Sequence, residues 1–204
     1  MRRRSLLIAA PAVLLAGCVS LFPKTAPSQL YRFGGDLTPV ARPAGGMATS
    51  FAVEALPITF NRASASDQIL TATGNEAAYI KGGRWVAGAQ NLFEEALANA
   101  FDADQGPARL MARGEAVRPD YFLKLDVRTF EARYSQGQGA PPTIAVEVYA
   151  ALSAPADRQL TGEHIFTVNV PAQANRGGAI AAAFDQATDQ VLEQLVKWVD
   201  AKGA

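Results

Sequence analysis

From about Ala179 to Ala201, Ile180, Phe184, Ala187, Val191, Leu195 and Trp198 recur at helical spacing. A helix this long with one apolar stripe needs a matching apolar surface to lie on. The three segments before it supply one. Tyr121, Leu123, Leu125 and Val127 alternate with Lys124, Asp126 and Arg128. Ile144, Val146, Val148 and Leu152 alternate with Glu147, Tyr149 and Ser153, and Phe166, Val168 and Val170 alternate with Thr167 and Asn169. One apolar face per strand predicts a sheet covered on one side. Each large member of the stripe, Trp198 included, should contribute roughly 1.5–3 kcal/mol when fully buried.

Upstream, the pattern is shorter and more broken. Leu30 to Phe33 is a short candidate strand. Thr49 to Phe60 alternates, but its phase changes near Ala55, which predicts a bulge or bend around Pro57. Asp67 to Ala72 and Glu76 to Ile80 read as two strands joined by the turn Thr73-Gly74-Asn75. Gly82-Gly83 is expected to break the chain before Arg84-Trp85. From Ala89 the period becomes helical, with Leu92, Phe93, Ala96, Leu97, Ala100 and Phe101 on one face and acidic residues in the early turns. Gly106-Pro107 should end that helix. Residues 137–142 and 155–159 read as hairpin loops. The reading is an α+β domain: a two-layer sandwich with a mostly antiparallel or mixed sheet and two amphipathic helices on one face.

The start of the chain speaks to compartment. Arg2, Arg3 and Arg4 precede an apolar stretch from Leu6 to Ala16 that is too short to span a bilayer and suits the h-region of a secretory signal. Leu15-Ala16-Gly17-Cys18 has the order of a bacterial lipobox. Cleavage between Gly17 and Cys18 would leave Cys18, the only cysteine, as an acylated first residue carrying diacylglycerol and palmitate. Arg3-Arg4-Ser5-Leu6-Leu7 also fits a twin-arginine signal, so the export route stays open. Val19, in place of aspartate, favours the outer membrane and its periplasmic face. Residues 1–17 are thus expected to be a signal peptide, 18–29 a lipidated cysteine and proline-containing tether, and 30–204 one domain.

Composition limits what that domain can do. The chain has 19 basic and 19 acidic residues; without Arg2, Arg3 and Arg4 the balance is 16 against 19, a net charge of −3. No basic excess remains for nucleic acid. With Cys18 modified there is no thiol for a disulfide, so the fold stands on packing.

Catalytic chemistry is sparse. His164 is the only histidine, in a strand beside Glu163. There is no Gly-x-Ser-x-Gly elbow, no usual zinc set, no calcium loop and no phosphate-binding loop. No cofactor, metal or catalytic residue is expected. Tyr79, Arg84 and Trp85 combine residue types that are enriched in interfaces and could contact a partner. Trp85 also fits beneath the first helix, and packing is the preferred reading.

These elements together are familiar: a lipobox, a tether, Tyr31-Arg32-Phe33, a strand ending near Pro57, two strands leading to Arg84-Trp85, a helix, the long strand Tyr121 to Phe130 and a C-terminal amphipathic helix. The chain resembles the ABC-type transport auxiliary lipoproteins, the PqiC-like family. The resemblance implies a non-enzymatic outer-membrane lipoprotein that docks a periplasmic MCE-domain protein. With an ABC transporter, that protein would form a lipid-transport system. It also implies a ring-forming homo-oligomer. It carries over no catalytic residue, and only Cys18 as a functional position. The competing reading is a lipoprotein cofactor of cell-wall synthesis or outer-membrane assembly, which would need a longer tether to reach through peptidoglycan.

Overall fold

The computed structural model describes residues 28–35, 50–156 and 159–203. Gly17, Cys18 and nearly all of the expected signal and tether lie outside the described residues, as does most of the loose stretch that follows Phe33.

The chain folds as the expected α+β sandwich. Its strands are β1 (Gln29–Tyr31), β2 (Phe51–Ala55), β3 (Thr59–Phe60), β4 (Gln68–Thr73), β5 (Glu76–Trp85), β6 (Ala108–Leu110), β7 (Tyr121–Arg133), β8 (Thr143–Ser153) and β9 (Leu160–Pro171). The helices are α1 (Ala89–Ala103) and α2 (Gly177–Gly203).

β7 organises the sheet. One of its edges pairs antiparallel with β8, which pairs antiparallel with β9. Its other edge is shared in succession: β2 lies parallel to its start, β3 to its middle and β4 to its end. Beyond β2 runs β6, and beyond β4 run β5 and then β1. Three short strands can share one long edge because the chain kinks between them. The kink is the phase change expected near Ala55 and Pro57.

Inward residues of β7, β8 and β9 meet in layers. Leu123 faces Leu152, Leu125 faces Ala150, and Val146 lies between Phe130 and Val168. A register shift between Val127 and Thr129 restores the apolar phase, so that Phe130 and Ala132 point inward. Over this floor both helices join one core. Leu92, Phe93, Ala96, Leu97, Ala100 and Phe101 of α1 are all buried, as are Ile180, Phe184, Ala187, Val191 and Leu195 of α2. Trp198 is only partly buried and packs edge-on against Phe166 at 6.0 Å. It caps the core rather than filling it.

Three further local expectations are corrected, and one strand is added to them. Gly82-Gly83 does not break the chain: β5 continues to Trp85, and Gly82 at φ 76° takes a left-handed conformation within the irregular stretch opposite Gln68 and Leu70. The strand near Leu30 ends at Tyr31, and Phe33 leaves the sheet to enter the core. The first turn of α1 holds no acidic residue. β6 was not anticipated, since three residues are too few to show a period; it exists because β2 offers a parallel edge.

Candidate functional site

Trp85 ends β5 with its ring directed into the core and 2% exposed. Phe33 meets it edge-on at 5.0 Å and Phe184 at 5.2 Å. Phe130 lies behind at 6.5 Å and itself touches Phe33, Phe60, Phe93 and Phe184. These rings come from the β1 exit, β3, β5, β7, α1 and α2, so they fill the space between sheet and helices. Trp85 therefore offers no surface to a partner.

Its neighbours in the proposed contact lie on the other face. Tyr79 is opposite Leu70 and Arg84 opposite Gln68, so the irregularity in β5 places two residues five apart on one side of the sheet. Both are exposed. Arg84 pairs with Asp67 at 2.6 Å, and the Tyr79 hydroxyl donates to the Ala63 carbonyl at 3.0 Å. Strict alternation would have put Tyr79 on the side of Trp85; only the bulge separates them.

The same open face carries a second group that sequence reasoning missed. The Arg128 guanidinium sits over the Tyr149 ring at 4.7 Å, and Tyr149 donates to Glu163 at 2.8 Å. That hydrogen bond to the Glu163 carboxylate, aided by burial, raises the Tyr149 phenol above its ordinary range. Arg128 also pairs with Asp126 at 3.2 Å. The signal was present as the polar half of each alternating strand, but which residues meet across strands depends on register.

His164 is exposed on β9, and its ring lies 4.6 Å from Phe166. Buried hydroxyls donate to main-chain carbonyls: Thr188 to Phe184 at 2.8 Å, Thr71 to Ala78 at 3.1 Å and Ser64 to Asn61 at 3.2 Å. Among the described residues no three histidine, cysteine, aspartate or glutamate side chains gather as a metal site. No helix among them is long and apolar enough to cross a membrane. An open groove of about 670 Å³ runs between α1 and the β2–β3 link, floored by Leu56, Ile58, Leu97 and Leu110 and bounded by the Arg113–Glu94 pair.

The N-terminal stretch is locked onto this core. Tyr31 pairs with Trp85, Phe33 is buried, and the Gly34 N–H donates to Asp185 at 2.6 Å. Asn99 donates to the Gly34 carbonyl at 3.3 Å. The model of the family described as ABC-type transport auxiliary lipoprotein component matches residues 31–196, which takes in that stretch, β2 to β9 and most of α2. The chain belongs to this family. The auxiliary lipoprotein is thus a relative of proteins that accompany ABC-type transporters, and a lipoprotein is held at a membrane by its acyl chains.

Among solved structures, the auxiliary lipoprotein is similar to protein XCC0632 from Xanthomonas campestris, of family DUF330. The identity is 28% and the TM-score 0.72, covering 86% of this chain and 97% of that one. It shares its fold with the hypothetical protein CT253 from Chlamydia trachomatis at 8% identity and TM-score 0.55, covering 76% of this chain and 98% of that one. No curated protein matches the sequence.

Proposed function

We propose that this auxiliary lipoprotein is a non-enzymatic docking component of an MCE-type ABC lipid-transport system. It is anchored by an acylated Cys18 to the periplasmic face of the outer membrane, and it seats the periplasmic MCE-domain conduit there. The observation that carries docking over carriage is the aromatic plug. Phe33, Trp85, Phe130 and Phe184 occupy the layer between sheet and helices where an acyl chain would otherwise lie. The lipobox order at Leu15 to Cys18 and the Val19 that follows support the anchor and its membrane. The family supports the ABC transporter as partner. Assembly into a homo-oligomer is part of the same reading.

Within it, Tyr79 and Arg84 are the partner contact, and Trp85 holds their strand from beneath. Arginine and tyrosine at the centre of an interface often carry much of its binding energy. The test is copurification of the tagged lipoprotein with the MCE-domain protein, using wild type, Cys18→Ser and the double variant Tyr79→Ala/Arg84→Ala. Cys18→Ser should stay unprocessed and unlabelled by radioactive palmitate. The double variant should melt like wild type yet lose the partner. Normal labelling of Cys18→Ser would remove the anchor, and full partner recovery by the double variant would remove this contact. Copurification with a cell-wall synthase in place of an MCE-domain protein would overturn the function.

A further inference from the structure

The point at which the tether joins the domain fixes which end of the domain can meet the membrane. β1 runs parallel to β5, with Gln29 opposite Gly83 and Tyr31 opposite Trp85. The direction of β1 therefore points the chain upstream of Gln29 toward Glu76 and the Gly74 turn. β7 finishes at that same end, beside Ala72, and so does β9, where Pro171 lies opposite Thr143 and Thr143 opposite Arg133.

Distances sharpen the argument. Thr71 lies opposite Ala132, so Ile69 and the adjacent Gly83–Gln29 pair are roughly level with Phe130. Strand rise puts Arg133 about 10 Å above that level and Tyr121 about 30 Å below it. Cys18 and Ser28 can be no more than about 36 Å apart, even fully extended. An anchor at Cys18 therefore reaches a bilayer beyond the Arg133 end with slack. To bring the Tyr121 end to the bilayer, the tether would have to reverse and run the length of the sheet. It would then still have to clear the 111–120 loop.

We propose that the crown formed by the 73–76 turn and the 134–142 and 171–176 loops is the surface of this domain that faces the lipid headgroups. The proposal rests on the Cys18 anchor inferred above.

The chemistry of the crown suits that place. Its only charged residues are Glu76 and Arg176; otherwise it is Ser, Thr, Gln, Asn, Gly, Ala, Pro and one Tyr. The loop at the opposite end carries Arg113, Glu115, Arg118 and Asp120. Pressing ionised side chains toward a less polar layer strips their water at a cost, whereas amides and hydroxyls can exchange water for headgroup oxygens. A domain of net negative charge also has no electrostatic pull toward anionic lipid that would turn it over. The crown is braced, so it presents one fixed surface. Tyr134 donates to the Asn175 side chain at 2.8 Å, and Asn175 donates to the Gln138 carbonyl at 2.6 Å. The Tyr134 N–H donates to Ala72 and that of Ala172 to Pro142.

The test uses the full-length lipidated protein on vesicles of phosphatidylethanolamine and phosphatidylglycerol that contain a headgroup-nitroxide lipid. Cys18 is the only native cysteine, and acylation blocks it, so Gln136→Cys, Arg118→Cys and Thr167→Cys each accept one fluorophore. All three sites are exposed: in the crown, at the opposite end and on the open sheet face. The expected result is several-fold stronger quenching at position 136 than at 118 or 167. Equal or greater quenching at 118 or 167, in protein that floats with the vesicles, overturns the orientation while leaving the anchor standing. Protein that neither floats nor incorporates palmitate removes the anchor, and the orientation falls with it.

Discussion

Replacing Phe130 by alanine tests the core most directly. The ring is 2% exposed and lies within 6.5 Å of five other aromatic rings, those of Phe33, Phe60, Trp85, Phe93 and Phe184. Phe→Ala in a core costs about 3–5 kcal/mol, and the spread reflects how far the site can collapse. Here collapse is hard. The five neighbours are carried by the β1 exit, β3, β5, α1 and α2, so closing the cavity would require several elements to move together. Each aromatic pair adds about 0.5–1.5 kcal/mol beyond its buried area, and these terms are not additive. The expected loss therefore sits near the top of the range, about 4–5 kcal/mol. For a domain of this size that is a fall in Tm on the order of 10–15 °C. Urea unfolding followed by tryptophan fluorescence would measure it, and Trp85 beside the cavity makes a local reporter. Leu195→Ala, fully buried on α2 but outside this ring cluster, should cost about 2–5 kcal/mol and serves as comparison. A loss below about 1 kcal/mol for Phe130→Ala, with unchanged urea dependence, would mean that the site relaxes freely and that the plug argument is wrong.

Two further outcomes follow from local geometry. Gly34 has φ 68°, and a Cβ there would collide with the Ala96 Cβ. Gly34→Ala should thus cost about 1–3 kcal/mol in thermal or urea unfolding, and a neutral result would show that the N-terminal stretch is not fixed against α1. At the opposite end, Arg109 and the Ala112 N–H hold the Glu115 carboxyl below its ordinary range. Because its folded pKa is depressed, this contribution is present above the unfolded value near 4.5 and is lost as pH falls through the folded one. The protection of the Ala112 amide, its exchange rate relative to that of an unstructured amide at the same pH, should fall on acidification through that window, and in Glu115→Gln already at neutral pH. Equal protection in Glu115→Gln and wild type would show that the pair does not hold this loop.

By itself the sequence determined the layers. The period of two in β7, β8 and β9 and the stripe of α2 set which side chains are apolar together, and burial of apolar surface is the dominant favourable term in folding. It also marked the break near Pro57 and assigned the residues of α1 that are buried. Tertiary structure alone decided what depends on pairing between distant segments. β7 became the hub because one long edge could host β2, β3 and β4 in turn, and β6 exists only because β2 offered it a parallel edge. An irregular stretch in β5 turned Tyr79 and Arg84 away from Trp85, although the three read as one cluster along the chain. Arg128, Tyr149 and Glu163 meet through the register of three strands, which no local pattern specifies. The direction of β1 was likewise a matter of pairing. Composition and period act along the chain, whereas register and bulges are fixed by the best simultaneous packing of all the elements.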